Sequence, residues 1–276
     1  MAEDQKAITL SPEMYPFENK LNTVKQTLQE RKEATVLAEQ RKDDLVMYLA
    51  HDIRTPLTSV IGYLSLMAEE SDMTADDREK NVQIALKKAC HLQEMINEFF
   101  EITRYNAQQI KLSKKPIDLY YMLVQLTDEL YPVLSLHGNT IRLNVDEEMI
   151  LFADPDKLAR VFSNILKNAA SYGYPQTDIV ISARETETQQ IISFKNQGDD
   201  IPADQLSSLF DKFYRLDEAR NSDMGGTGLG LAIAKEIMAL HGGSVYAESE
   251  NSAIAFTVML PKRDSQGKKR QKLGFS

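Results

Sequence analysis

LAHDIRTPLT, Leu49 to Thr58, sets a histidine, an aspartate, a threonine and a proline inside a stretch whose neighbours read as amphipathic helix. Pro56 removes one backbone donor and crowds the carbonyl four residues back, which costs about 3 kcal/mol in a helix interior. Two readings stand at this point: the helix ends or kinks before Pro56, as prolines in a helical pattern usually require, or some other requirement holds the proline there. An apolar stripe runs straight through it. Leu45, Leu49, Ile53, Leu57, Val60, Ile61, Leu64 and Met67 share one face over residues 44–70, about 40 Å of helix at 1.5 Å per residue. His51 lies just off that stripe.

Upstream, residues 1–18 are polar and carry two prolines. From Leu21 a three-and-four spacing (21, 24, 28, 31, 35, 38, 42, 45 and 49) reads as a coiled-coil seam with polar interruptions. Downstream, EESDMTADD breaks the pattern, and Thr74 with Asp77 resembles a capping box that opens a second helix to about Asn106. Its stripe is Val82, Ala85, Ala89, Leu92, Met95, Ile96, Phe99 and Thr103. Two such helices make a hairpin with more apolar face than it can cover by itself. A second copy would complete a twofold four-helix bundle; packing against the rest of the same chain is the alternative.

The charged KLSKKPI, residues 111–117, reads as a boundary, after which the pattern turns mixed. Helices are expected at Leu119 to Leu130, at Asp154 to Ser171 with Asp154 as N-cap and Pro155 in its first turn, at Ala203 to Phe210, and at Gly228 to Leu240 ending in HGG. Strands are expected at Thr140 to Val145, Ile150 to Ala153, Asp178 to Arg184, Gln190 to Asn196, Ser244 to Glu248 and Ile254 to Leu260. This mixture predicts an α/β sandwich, a mixed sheet covered on one face by helices.

Composition narrows the function. The chain has 276 residues, 42% hydrophobic and 8% aromatic, enough for about two domains with sizeable cores. A net charge of -9 argues against nucleic-acid binding, although Lys262, Arg263, Lys268, Lys269, Arg270 and Lys272 make a short basic tail. The single cysteine, Cys90, allows no internal disulfide and reads as a small buried thiol in a reducing compartment. No apolar run approaches the roughly 20 residues that span a bilayer, and residues 1–20 lack a signal-peptide core, so the chain as given reads as cytosolic.

GGTGLGL, Gly225 to Leu231, opens a helix whose amide groups can face an anion such as a phosphate. It is neither a dinucleotide fingerprint, which needs a strand before it and glycine at position 231, nor a P-loop, which needs Gly-Lys-Ser or Gly-Lys-Thr. NILKNAASYG, Asn164 to Gly173, sets Asn164 and Asn168 four apart on one helix face. An asparagine oxygen can ligate Mg2+, which takes phosphate oxygens and water for the rest; paired asparagines more often cap or solvate a helix. NQGDDIP, Asn196 to Pro202, is a strand followed by a glycine turn, open enough for a purine or simply a loop.

In order, HDIRTP on a helical hairpin, then NILKN, NQGDDIP, FDKFYR and GGTGLGL, resemble the H, N, first glycine, F and second glycine boxes of bacterial sensor histidine kinases. The resemblance covers residues 20–262. MYLAHDIRTPLTSVIGYLSL, NEFFEITRYN, DLYYMLVQLTDE, FYRLDEARNSD and LAIAKEIM are similar to the VanS sensor kinases of vancomycin-resistance two-component systems. It implies an α+β multi-domain chain: a polar N-terminus and coiled-coil linker (1–43), a dimerising, histidine-bearing hairpin (44–110), an ATP-binding sandwich of the histidine kinase, gyrase and heat-shock ATPase type (117–262), and the basic tail (263–276). The implied activity is an ATP-dependent homodimeric kinase that phosphorylates its own histidine, passes the group to an aspartate in a response-regulator receiver domain and can also remove it, within glycopeptide resistance signalling. Membrane contact would come only through segments this chain lacks.

The same resemblance assigns roles. His51 would attack the γ-phosphate through Nε2, with Asp52 holding its tautomer and Thr55 orienting water for dephosphorylation of the regulator. With an ordinary pKa near 6.5 most of the imidazole is already neutral at pH 7, so positioning supplies most of the barrier reduction. Asn168 would ligate Mg2+, with Asn164, Tyr172, Asn196, Gly198, Arg215, Gly226, Thr227, Gly228, Leu229 and Gly230 around ATP. Pro56 would let the helix bend so that nucleotide reaches His51. Three positions depart from the pattern: Asn196 replaces the aspartate that accepts the adenine amino proton, Asp200 replaces a glycine, and Ser171 replaces a basic residue. They imply weaker ATP binding. Two other readings remain: a dimeric scaffold without catalysis, motivated by those three positions, and a stand-alone ATPase of the gyrase or heat-shock type.

Overall fold

A computed structural model describes residues 14–70, 72–106, 111–216 and 227–262. The chain divides into two compact units, Met1–Ala89 and Cys90–Ser276.

In the N-terminal unit, α1 runs Tyr15–Glu69 as one 55-residue helix with Pro56 inside it. Of the two readings of Pro56, the structure takes the continuous helix. Ser59 Oγ donates to the Thr55 carbonyl at 3.1 Å, a local bond that accompanies the proline one turn along. The second helix, α2, runs Ala75–Asn106. Its start is the expected capping box: the Thr74 hydroxyl accepts from the Asp77 amide at 3.1 Å and donates to the Asp77 carboxylate at 2.7 Å, while Arg78 N–H bonds the Thr74 carbonyl. Ala85 and Pro56 are buried here, whereas Leu57, Ile61, Leu64, Val82 and Leu86 are exposed. Cys90, at the head of the second unit, is exposed rather than buried; its helical position falls off the apolar stripe.

In the C-terminal unit, β1 (Lys115–Asp118) pairs antiparallel with β3 (Ile150–Ala153). The stretch read as a boundary therefore contains a strand. Only Ile117 of β1 is buried, so no alternation announces it. The helix after it, α3, runs Leu119–His137, past its expected end and through Pro132, because Leu130 and Leu134 still face the core. Gly138, at φ 68°, closes it with its amide on the Leu134 and Ser135 carbonyls.

The main sheet has the order β2-β4-β5-β7-β6, built from β2 (Thr140–Asn144), β4 (Asp178–Glu185), β5 (Gln189–Gln197), β6 (Ser244–Glu250) and β7 (Ala253–Pro261). β2 and β4 are parallel and the other pairs antiparallel, the mixed sheet expected. Alternate residues Ile192, Phe194 and Asn196 of β5 are buried, in register with Val258, Phe256 and Ile254 of β7. Helices α3, α4 (Pro155–Tyr172) and α6 (Gly230–His241) pack over this side, with Phe162 of α4 against Phe194 at 5.2 Å between ring centroids. The expected helix at 203–210 is shorter: α5 (Ala203–Leu206) and then a 3₁₀ turn, Ser208–Phe210. Asp154 is the expected N-cap of α4, accepting from the Lys157 amide. Ile102, near the end of α2, is fully buried in this core.

Candidate functional site

Two groups of expected site residues lie in the two units. In the first, His51 and Asp52 fall in α1 with Thr55 four residues after the histidine. Asp52 is half-buried and Thr55 exposed.

The second group gathers where the end of β5, the end of α4 and the start of α6 meet. The Tyr174 amide donates to the Gln197 carbonyl at 2.8 Å, bringing the loop after α4 against the strand. The approach is backbone to backbone: a Cβ on Gly173 would sit 2.5 Å from the Ala169 carbonyl oxygen, and one on Gly198 3.0 Å from that of Tyr172. Asn196 lies between them. By the period of two it faces the core with Phe194, and it is 1% exposed. Its Nδ2 donates to the Gln197 carbonyl at 3.2 Å, and its Oδ1 is buried with no hydrogen-bond partner. An unsatisfied buried acceptor costs about 1–3 kcal/mol, so it marks a place where a donor belongs. The exocyclic amino group of adenine is such a donor, and the residues present fit that base.

Asn164 is buried, and its Nδ2 donates to the Gly230 carbonyl at 2.8 Å. It ties α4 to the first turn of α6. Asn168, one turn on, and Tyr172 are half-buried along the same helix. Among the described residues no three His, Cys, Asp or Glu side chains group to hold a metal ion; the amide oxygen of Asn168 is of the type that can ligate Mg2+ alongside phosphate oxygens.

Gly228 has φ 72°, and its carbonyl accepts from the Phe213 amide at 3.0 Å. A Cβ there would lie 2.9 Å from Phe213 Cα, so this glycine answers both a left-handed backbone and a close neighbour. Phe213 itself has φ 62°, a costly value for an aromatic residue. Thr227 Oγ1 accepts from the Leu229 amide at 3.1 Å, and Leu229 is buried in the core. Arg215 is half-buried. Gly225 and Gly226 lie outside the described residues.

Several partners in this unit carry no signature in the sequence. Glu98, on the part of α2 in this unit, accepts from the Thr227 hydroxyl. Arg160 of α4 pairs with Glu98 at 3.4 Å and with Glu101 at 3.1 Å. Asp200, where the family has glycine, accepts from the Ser252 amide at 2.8 Å in the β6–β7 turn, while Ser249 Oγ accepts from the Ile201 amide at 2.9 Å. The departure thus braces the loop after β5 onto the hairpin. Tyr174 donates to Asp199 at 2.6 Å, and that bond raises the Tyr174 pKa above its usual value. None of these has a signal in residue spacing, because each joins segments far apart in the chain.

Comparisons with known proteins identify the family. The family model for the His Kinase A (phospho-acceptor) domain matches residues 41–108, and that for the histidine kinase-, DNA gyrase B- and HSP90-like ATPase matches residues 153–264, from which ATP binding follows. The sensor protein VanS of Enterococcus faecium is 57% identical over 258 residues, which are 94% of this chain and 67% of that protein. The sensor protein VanSC of Enterococcus gallinarum is 43% identical, over 94% of this chain and 72% of that protein. Among solved structures, histidine kinase ThkA in complex with the response regulator TrrA has the same fold, with a TM-score of 0.66 at 20% identity over 93% of this chain and 68% of that one. The chain belongs to the sensor histidine kinases of two-component systems and is close to VanS.

Proposed function

We propose that this chain transfers the γ-phosphoryl group of ATP to Nε2 of His51 and then to an aspartate of a response-regulator receiver domain, and that it also hydrolyses the regulator's phosphoryl group. The unit of action is a homodimer through the hairpin of residues 44–110, with 117–262 as the nucleotide domain. Exposed Leu57, Ile61, Leu64, Val82 and Leu86 support pairing of two copies. Similarity to VanS supports a role in vancomycin-resistance signalling and a place on the cytoplasmic side of a membrane receptor. No helix among the described residues is long and apolar enough to cross a membrane.

The observation that carries the nucleotide half of this reading is the buried, unpartnered Oδ1 of Asn196. It offers the adenine amino group an acceptor without the charge of the family's aspartate. Asn168 holds Mg2+ with the phosphates, and the amides at the head of α6 meet their negative charge. Asn164 keeps α6 in place through Gly230. When the imidazole attacks, the new N–P bond forms as the bond from γ-phosphorus to the bridging oxygen breaks and ADP leaves, and Asp52 stabilises the charge that builds on the ring. Thr55 positions water to attack the phosphoryl group on the regulator's aspartate, breaking the aspartyl O–P bond and releasing inorganic phosphate.

The test is incubation with γ-labelled ATP and Mg2+. Acid-labile, alkali-stable label on the wild type that vanishes in His51→Gln is the expected result. Release of free phosphate at the same rate in both proteins would overturn it in favour of a stand-alone ATPase.

A further inference from the structure

We propose that Glu98 is a built-in competitor for the nucleotide's phosphates, holding the second glycine loop until ATP displaces it. The inference rests on the nucleotide reading above and concerns how that site is regulated. Thr227 stands in the loop that leads into α6, beside the amides expected to meet phosphate. Its hydroxyl has one proton, and that proton goes to the Glu98 carboxylate, while its oxygen takes the Leu229 amide. A carboxylate thus sits beside the loop that enters α6, the helix end that favours negative charge and is expected to meet phosphate.

Glu98 is held there. Its second oxygen pairs with Arg160, which also takes Glu101, and the Glu98 side chain is 16% exposed, so solvent screens its charge only partly. Arg160 belongs to α4, the helix that carries Asn164 and Asn168, so α2, α4 and the glycine loop are joined through one carboxylate. A triphosphate arriving at α6 meets this negative charge and an occupied hydroxyl. Binding therefore requires Glu98 to release Thr227, which frees the glycine loop from the end of α2. Nucleotide affinity and the hold of α2 on the loop are then linked, each weakening the other by the same factor.

Binding of a non-hydrolysable ATP analogue with Mg2+, and separately of adenosine, is measured by calorimetry on the full chain for wild type, Glu98→Gln, Glu98→Ala and Glu101→Gln. The expected result is that both Glu98 variants bind the analogue about fivefold tighter or more, with adenosine affinity unchanged and Glu101→Gln close to wild type. Equal analogue affinity in wild type and both Glu98 variants would overturn the competition while leaving the nucleotide site intact. A parallel change for adenosine would overturn it too, since adenosine has no phosphate to compete and the residue's role would be structural. Failure of every protein to bind either ligand would instead sink the nucleotide reading, and this inference with it.

Discussion

The two units spend their apolar residues differently. In the N-terminal unit, Pro56 and Ala85 are the buried positions among the described residues, while Leu57, Ile61 and Leu64 are each at least 42% exposed. In the C-terminal unit Phe162, Phe194, Phe256, Ile165, Ile181 and Val258 are at most 1% exposed and lie in one core. A helix pair in water gains little from propensity and needs a packed face. The C-terminal unit supplies its own; the N-terminal unit leaves Leu57, Ile61 and Leu64 uncovered, the face on which the proposed second copy would pack. The family matches follow a similar division: the phospho-acceptor match begins in the first unit, and the ATPase match lies wholly in the second.

The sharpest way to break this contrast is to open the core. Phe194→Ala, which loses its contact with Phe162, is expected to cost about 3–5 kcal/mol and to lower the calorimetric transition of the C-terminal unit alone. A transition that drops for both units together would show that they are not independent. Next in size, Ile61→Asp puts a carboxylate on the exposed stripe of α1. It is expected to cost roughly 2 kcal/mol or more at a paired surface. Sedimentation should report monomers where the wild type is dimeric; a dimer of unchanged strength would place the interface elsewhere.

A smaller effect tests the nucleotide site. Asn196→Ala is expected to weaken ATP binding about tenfold, near 1.4 kcal/mol, while leaving the thermal transition almost unmoved. The reason is that Oδ1 has no partner to lose, and the Gln197 carbonyl keeps its bond from Tyr174. A large loss of stability with unchanged affinity would make the residue purely structural.

The smallest effect is a pH dependence confined to the C-terminal unit. His241 is buried, its Nε2 accepts from the Asp154 amide at 3.0 Å, and its Nδ1 faces the Ile237 carbonyl. Only the neutral ring with its proton on Nδ1 satisfies both contacts. Burial depresses its pKa below the ordinary 6.5, with nearby Lys114 acting in the same direction, and the Ile237 carbonyl and Asp154 opposing. The unfolded chain therefore binds a proton that the folded chain refuses, and stability is lost as pH falls below about 6.5 toward the depressed value. Above 6.5 this contribution is complete and flat. Denaturant titrations between pH 7.5 and 5.5 should show the loss in the wild type and not in His241→Gln.

Much of the secondary structure was legible. The three-and-four spacing marks α1 and α2, Thr74 and Asp77 mark a helix start, Asp154 marks another, and alternation marks β5 and β7. Each signal arises within about four residues, where hydrogen bonds and side-chain direction depend on local spacing. Strand β1 was hidden because its evidence is a partner strand, Lys115 against Ala153. The extension of α3 through Pro132 was hidden because buried Leu134, not propensity, sustains it.

By itself the sequence determined the order of the boxes, the family they resemble and the residue types available for phosphoryl chemistry. Only the tertiary structure decided that Pro56 sits within an unbroken helix, that the Oδ1 of Asn196 is sealed from water without a partner, that Asp200 braces a hairpin, and that Glu98 reaches Thr227 across 129 positions. The reason is physical. A polar atom's partner, and the cost of lacking one, depend on which distant segments the core draws together, and a linear pattern holds no record of that meeting.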